Sequence, residues 1–190
     1  FDNALRWEDA QLIFVGGSEG IEGIDVGLRL GATIVGVVRD AETQLPIADV
    51  DLNAAPVGGD QISWASTDAN GRYALSGVPE GPNVVYLYSD NHVDESRRVE
   101  VTGPGQESIL HFALSPGATV SGRVTDADTG LPVLGVSITV EKDGRDRHAW
   151  TDADGSYAVR GVGPGSYRIR LNPEQTSYVR QYYDNALYWG

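Results

Sequence analysis

Two short loops of the sequence place carboxylates at alternate positions. Asp126 and Asp128 lie in the first loop, and Asp152 and Asp154 lie in the second, directly before Gly155. Calcium takes six to eight oxygen ligands, which carboxylates and loop carbonyls supply, so these four aspartates are candidate calcium ligands and calcium is the candidate cofactor. The same spacing also suits turns in which Asp accepts hydrogen bonds from the nearby backbone. Neither loop completes the EF-hand pattern D-x-[DN]-x-[DN]-G-x5-E, so both interpretations stay open.

A second candidate for chemistry is the run GGSEG at residues 16–20, which matches the G-x-S-x-G pattern. A nucleophile elbow needs a strand before the serine and a helix after it. Here a strand is predicted before the run and another over residues 21–30, so we interpret the run as a Gly-rich turn. The three histidines, His92, His111 and His148, have no spacing typical of a catalytic triad or a zinc site. We therefore predict that the protein is not an enzyme.

Composition and charge narrow the range of partners. The chain has 14 Lys and Arg against 27 Asp and Glu, a formal net charge of −13. So acidic a chain repels phosphate backbones, and we do not expect nucleic acid as a partner. No apolar run approaches the roughly 20 residues of a transmembrane helix, so we do not expect a membrane-spanning protein. Cysteine is absent, which rules out disulfides and thiolate metal sites.

An internal repeat organises the elements that carry these residues. Residues 31–55 (GATIVGVVRDAETQLPIADVDLNAA) align with residues 117–141 (GATVSGRVTDADTGLPVLGVSITVE), and residues 67–87 align with residues 151–171. Apolar residues alternate with polar ones in both copies, which is typical of half-buried antiparallel strands. A whole copy supplies seven short strands separated by turn residues, and this predicts a two-sheet sandwich with Greek-key connections. The predicted fold class is all-β, with tandem seven-stranded Greek-key (Ig-like or prealbumin-like) β-sandwiches.

The repeat divides the chain into three parts. Residues 31–114 are predicted to be a complete sandwich, and residues 115–190 a second sandwich that lacks its last two strands. Residues 1–30 align with the end of a repeat, where Leu28 matches Leu114. We predict that this first part is a two-strand segment that completes a preceding or neighbouring domain. The core of the complete sandwich is predicted to contain Ile34, Val38, Val50, Leu52, Tyr73, Leu75, Val85, Leu87, Val99, Val101, Phe112 and Leu114.

The two copies resemble the carboxypeptidase regulatory-like domain. The resemblance rests on the pattern G-x-T-x-x-G-x-V-x-D-x-x-T-x-x-P, followed by T-D-A-[ND]-G-x-Y and then by G-[VL]-x-x-G. That family has a transthyretin-like (prealbumin-like) sandwich, which the resemblance implies for both copies. Its members occur as accessory modules of secreted peptidases and glycan-active enzymes, and as tandem arrays on bacterial and archaeal surfaces. The resemblance therefore implies an extracellular or cell-surface location.

The first segment differs from its counterpart in being apolar on both faces. Leu12 and Phe14 occupy the positions at which the complete copy has the outward-facing Arg98 and Glu100. A strand that is apolar on both faces suits a doubly covered position or an intersubunit contact. Aromatic residues also cluster near the two ends of the chain, and aromatics are enriched at protein interfaces. The predicted assembly interface comprises Leu12, Ile13, Phe14, Val15, Ile24, Val26, Leu28, Tyr183, Tyr188 and Trp189.

These parts suggest a head-to-tail polymer. A sandwich that lacks two strands has an open edge, and the matching strands lie at the other end of the same chain. A heterologous contact that does not close on itself produces a filament. We therefore expect a non-enzymatic extracellular structural protein, the building block of a filament, pilus-like fibre or surface array, in which identical subunits or adjacent repeats join by β-strand complementation. The alternative is an accessory or carbohydrate-binding module of a secreted enzyme, in which aromatic rings stack on a glycan.

Overall fold

The computed structural model describes residues 7–18, 20–60, 63–174 and 177–183. These residues form fourteen strands and one short 3-10 helix, Trp7–Asp9. None of the helical structure in these residues is long and apolar enough to cross a membrane. The predicted all-β fold class is therefore confirmed.

The chain divides into two compact units, each with its own core. The first unit contains residues 1–39, 45–87 and 95–113, and the second contains residues 40–44, 88–94 and 114–190.

The first unit is a sandwich of two sheets. Its strands are β1 (Ala32–Asp40), β2 (Asp51–Pro56), β3 (Ser63–Ser66), β4 (Arg72–Val78), β5 (Gly81–Tyr88), β6 (Glu95–Val101), β7 (Glu107–Ile109) and β8 (Phe112–Leu114). One sheet has the order β3-β2-β5-β6, and the other has the order β4-β1-β7, with β8 also paired to β1. Strand β1 is thus a central strand, antiparallel to β4 and parallel to β7.

The core of the first unit follows from the alternation of its strands. Along β1, buried and half-buried residues alternate, because successive side chains point to opposite faces of a sheet. Every residue of the predicted core is buried except Val99. Val99 is half-buried on β6, the outermost strand of its sheet, whereas Val101 on the same strand is buried. The structure adds four smaller or flanking residues to this core, namely Ala32, Ala54, Ala55 and Val78.

The second unit repeats most of this arrangement. Its strands are β9 (Ala118–Arg123), β10 (Ser137–Lys142), β11 (Arg145–Trp150), β12 (Ser156–Val162), β13 (Arg168–Asn172) and β14 (Gln181–Tyr182). Strands β12 and β9 form one sheet, and the other has the order β11-β10-β13-β14. The core is a smaller cluster of aliphatic side chains, namely Val133, Val136, Ile138, Val140, Val159 and Val162.

Two features differ from the strands predicted for the ends of the repeats. Residues 10–18 and 20–30 contain no strand, and all of them are exposed. A strand is held by hydrogen bonds to a neighbouring strand, and these residues belong to none of the sheets. At the other end, β14 pairs with β13, on the edge where the first unit has β6. The position predicted to lack its sixth strand is thus occupied over two residues by the same chain.

Candidate functional site

The main candidate site is the free edge of β9. Its counterpart in the first unit, β1, pairs with β4 on one side and also with β7 and β8. Among the residues that the structure describes, β9 pairs with β12 alone. One edge of β9 therefore carries backbone N–H and C=O groups available to another strand, and such an edge is a template for strand addition.

Side chains beside this edge are less buried than their counterparts in the first unit. Ile34 and Tyr73 are buried in the first unit, whereas their counterparts Val120 and Tyr157 are only half-buried. In the first unit Phe112 on β8 covers this region, with its ring centroid 6.4 Å from that of Tyr73. Among the residues that the structure describes, the second core is therefore less covered beside β9 than the first core is beside β1.

In the first unit, the edge of β1 that corresponds to the free edge of β9 is paired with β7 and β8. Leu110, between β7 and β8, donates its N–H to the carbonyl of Val35 at 2.8 Å. The carbonyl of Leu110 accepts a 2.6 Å hydrogen bond from the hydroxyl of Tyr73. A Cβ on Gly36 would collide with this carbonyl, so the glycine leaves the room that the crossing backbone needs. We call Gly36 and Tyr73 the carbonyl socket of the first unit.

The second unit has the same two residue types in the same register. Gly122 on β9 pairs with Tyr157 on β12, as Gly36 pairs with Tyr73. Burial raises the pKa of Tyr157, and the nearby Tyr183 adds to that rise. Within the described part of the chain, no carbonyl accepts a hydrogen bond from the Tyr157 hydroxyl. The ring and hydroxyl of Tyr157 lie over Gly122, where a Cβ would come within 2.8 Å of the hydroxyl oxygen, and no carbonyl of the described residues takes the place that Leu110 fills in the first unit. We call Gly122 and Tyr157 the carbonyl socket of the second unit.

The residues predicted for the assembly interface lie on the surface of the single chain. Leu12 and Leu28 have 91% and 95% of their surface exposed. The other described members are exposed as well, namely Ile13, Phe14, Val15, Ile24, Val26 and Tyr183. Tyr188 and Trp189 lie outside the described residues. Large exposed apolar side chains suit an interaction surface, and the role of this set in assembly stays a prediction.

The acidic loops are turns closed by their own carboxylates. Asp126 Oδ1 accepts hydrogen bonds from the backbone N–H of Asp128 and from the N–H and hydroxyl of Thr129, and Asp126 Oδ2 accepts one from the hydroxyl of Tyr178. The side-chain and backbone hydrogen bonds from Thr129 lower the pKa of Asp126 from 3.8 to about 2, and the bond from Tyr178 contributes further. In the second loop, Asp152 Oδ1 accepts the N–H of Asp154. The turn interpretation therefore describes the geometry seen in both loops.

Calcium binding by Asp126, Asp128, Asp152 and Asp154 stays a prediction. Among the described residues, no group of three or more His, Asp and Glu side chains is placed to hold a metal ion. Calorimetric titration of the metal-free protein with calcium tests the prediction directly. Heat of binding that Asp126→Asn abolishes would support calcium ligation, and absence of heat at millimolar calcium would remove it.

The lowered pKa of Asp126 predicts loss of stability in acid. A carboxyl group whose pKa is depressed by folding stabilises the folded state above its ordinary pKa, and this contribution disappears as the pH falls toward the folded value. We therefore expect the unfolding temperature to fall between about pH 4 and pH 2, and to fall less in Asp126→Asn. The matched control is Asp128→Asn, because the Asp128 carboxylate accepts none of these hydrogen bonds. An equal acid response in both variants would contradict the assignment.

Sequence analysis missed Arg147. Within the second unit its guanidinium donates to the carbonyls of Ser89 (2.7 Å) and His92 (2.8 Å) and to the carboxylate of Asp94. It lines a cavity of about 510 Å³ together with Lys142 and other residues. Burial raises the pKa of Asp94, which the charge of Arg147 opposes. No local sequence pattern predicts these hydrogen bonds, because Arg147 occupies an ordinary position of β11 and its partners lie more than fifty residues earlier in the sequence.

The run GGSEG does not form a nucleophile elbow in the described residues. Residues 20–30 contain no helix after Ser18, and Glu19 lies outside the described residues. An elbow requires that helix, because the strand-to-helix turn exposes the serine. Nor do residues 20–30 form the second strand of the turn predicted from the sequence.

Comparison with known families identifies both copies of the repeat. Residues 33–115 and residues 119–184 each match the carboxypeptidase regulatory-like domain. The two matches together span well over half of the chain, in tandem. A search of curated protein sequences finds no match.

Solved structures with a distant likeness include pilins. The Streptococcal ancillary pilin is 14% identical with a TM-score of 0.38, and the comparison covers 80% of this chain and 58% of that one. The Bacillus anthracis TIE protein is 15% identical with a TM-score of 0.38, covering 79% and 29%. The minor pilin of Streptococcus agalactiae is 15% identical with a TM-score of 0.38, covering 77% and 84%. The chain thus spans less than two thirds of the length of the first two.

Proposed function

The chain belongs to the carboxypeptidase regulatory-like domain family, and we propose that it is a non-enzymatic extracellular structural protein. In this proposal it is the building block of a filament, pilus-like fibre or surface array. Identical subunits or adjacent repeats join head to tail, and a strand from one domain completes the sheet of the next. The proposed partner is therefore another copy of the same repeat.

The free edge of β9 is the observation that carries this proposal. In the first unit the central strand β1 is paired on both sides, whereas β9 in the second unit is paired on one side among the described residues. Residues 20–28 correspond in sequence to residues 106–114, which supply β7 and β8. An acceptor edge and a matching donor sequence thus occur in one chain.

The exposed first segment supports a role as donor. Described residues from Glu8 to Leu30 are all exposed, and they include a series of large apolar side chains. A chain gains free energy when such surface is covered, at about 25 cal/mol per Å² of apolar area. In the proposed assembly Leu12 and Phe14 also pack against a neighbouring domain or chain.

Association as a function of concentration tests the proposed function. Sedimentation velocity of the purified chain should show a series of species that grows with concentration, because each added copy leaves one donor and one acceptor free. Negative-stain microscopy of the concentrated sample should show filaments. A chain that stays monomeric up to millimolar concentration would contradict the proposal.

The alternative function is a carbohydrate-binding module of a secreted enzyme. The observation in its favour is Trp64 on β3, whose side chain is 65% exposed. A flat exposed indole offers a face on which a sugar ring can stack. A glycan array probed with the monomeric protein distinguishes this function, because Trp64→Ala should abolish any glycan signal and leave self-association unchanged.

A further inference from the structure

We propose that residues 20–28 of one copy of this chain dock on the free edge of β9 in a second copy, in one register, with the carbonyl of Ile24 seated in the socket of Gly122 and Tyr157. This inference rests on the proposed function and specifies it at the level of single residues. The paired edge of β1 in the first unit is the template for each proposed contact. The partner is thus a second copy of this chain, joined through a defined strand.

The register follows from the pairing of β1 with β7. These strands run parallel, with Thr33 opposite Glu107. The corresponding residues are Thr119 on β9 and Ile21 in the first segment. The proposed strand therefore runs parallel to β9 with Ile21 opposite Thr119.

In the proposed register the carbonyl socket of the second unit receives a backbone carbonyl. In the first unit the carbonyl that enters the socket belongs to Leu110, which corresponds to Ile24. The docked carbonyl of Ile24 therefore accepts the hydrogen bond that the Tyr157 hydroxyl donates. A strand displaced by two residues would bring a different backbone carbonyl to Tyr157, so the single register follows from the side chains of Val26 and Leu28 and not from the socket.

Apolar side chains of the docked strand complete the second core. Val26 takes the position of Phe112 and covers Tyr157, while Leu28 takes the position of the buried Leu114. The carbonyl of Leu114 accepts the N–H of Ala41 at 2.9 Å. Ala127 corresponds to Ala41, and it lines a cavity of about 100 Å³ bordered by apolar side chains such as Val124, Val133 and Val136. In the proposal the side chain of Leu28 occupies part of this cavity.

A further contact in the template has a chemically suitable counterpart. In the first unit the N–H of Val37 donates to the Nδ1 of His111 at 3.1 Å. The corresponding pair is the N–H of Arg123 and the carboxylate of Asp25. A carboxylate accepts hydrogen bonds as an imidazole nitrogen does. Asp25, which corresponds to His111, therefore keeps a hydrogen-bond acceptor at the same place.

Cysteine pairs test the register, because the natural chain contains no cysteine. Chains carrying Ile21→Cys are mixed with chains carrying Thr119→Cys and oxidised with glutathione disulfide. Neighbouring strands lie about 4.8 Å apart, within the range that a disulfide spans. We expect a disulfide-linked dimer of the two variants. The matched control replaces Thr119→Cys with Ser121→Cys, two residues further along the same face, and should yield several-fold less dimer.

The outcomes separate the register from the proposed function. If the variants associate in sedimentation but the Ser121→Cys mixture cross-links better, the register is wrong and strand complementation stands. If no mixture associates, the proposed function fails as well. If only the double variant Ile21→Cys/Thr119→Cys forms a disulfide, and does so as a monomer, the strand docks within its own chain and the proposal of a second copy is overturned.

A conservative substitution tests the socket itself. Tyr157→Phe removes the hydroxyl that would donate to Ile24, and we expect association to weaken roughly tenfold. Its matched control is Tyr73→Phe, which removes the existing bond to Leu110 inside the first unit. The control should lower the unfolding temperature of the first unit and leave association unchanged. Equal association of Tyr157→Phe and the natural chain would overturn the assignment of the socket.

Discussion

Deletion of residues 1–30 should yield a soluble monomer that no longer forms filaments. The deletion removes the proposed donor strand, so the free edge of β9 in one copy has nothing to bind in the next. Residues 31–190 should still fold, because residues 8–18 and 20–30 are exposed and contribute no side chain to either core. Sedimentation velocity and negative-stain microscopy measure the loss, and circular dichroism checks that the strand content remains.

A double substitution provides a second test that keeps the chain length. Val26→Asp with Leu28→Asp places charges at the positions that the proposed strand buries, where an unpaired carboxylate is strongly disfavoured. We expect association to be lost as completely as in the deletion. The control is Leu45→Asp, since Leu45 is also exposed (64%) but lies outside the first segment. Fibres of unchanged appearance from either the deletion or the double variant would show that strand donation by this segment is wrong.

Truncation of Leu52 or Phe112 to Ala should destabilise the first unit by roughly 2–5 kcal/mol. Leu52 on β2 and Phe112 on β8 are both buried, on opposite sheets of the sandwich. Each truncation removes apolar contacts and leaves a cavity that the surrounding sheets fill only in part. The Phe112 variant also loses the ring contact with Tyr73 and the guanidinium of Arg97, which lies 4.7 Å from the ring centroid.

Urea unfolding monitored by circular dichroism measures this change. The two units have separate cores, so the transition of the first unit should move to lower urea while that of the second stays in place. Leu45→Ala is the matched control, because truncation of an exposed leucine usually changes stability by less than about 0.5 kcal/mol. Full tolerance of both core truncations would mean that the faces of these strands are inverted.

Which residues face the core was predictable from the sequence, since side chains on a strand alternate between two faces. The buried residues Ile34 and Val38 on β1, and Leu75 on β4, follow from that local rule. The repeat also indicated that residues 20–28 are related to β7 and β8. This correspondence depends only on matching residue types along the chain, so it needed no coordinates.

The order of strands within each sheet needed the tertiary structure. Val99 and Val101 lie on the same face of β6, yet Val99 is half-buried and Val101 is buried, a difference that the alternation of side chains does not predict. The short strand β14 could not be predicted either, since two residues carry no periodic signal and β14 forms only by pairing with β13. The contacts of Arg147 depend in the same way on residues distant in the sequence.

The carbonyl socket depends on both the sequence and the tertiary structure. The sequence shows that both repeats have the Gly and the Tyr at matching positions, Gly36 with Tyr73 and Gly122 with Tyr157. Only the structure shows that these residues face each other across two strands, and that in the first unit they receive the carbonyl of Leu110. The physical reason is that a sequence pattern specifies the direction of each side chain, whereas a hydrogen bond requires two groups to meet in space. Whether a donor and an acceptor come within hydrogen-bonding distance is decided by the packing of the strands.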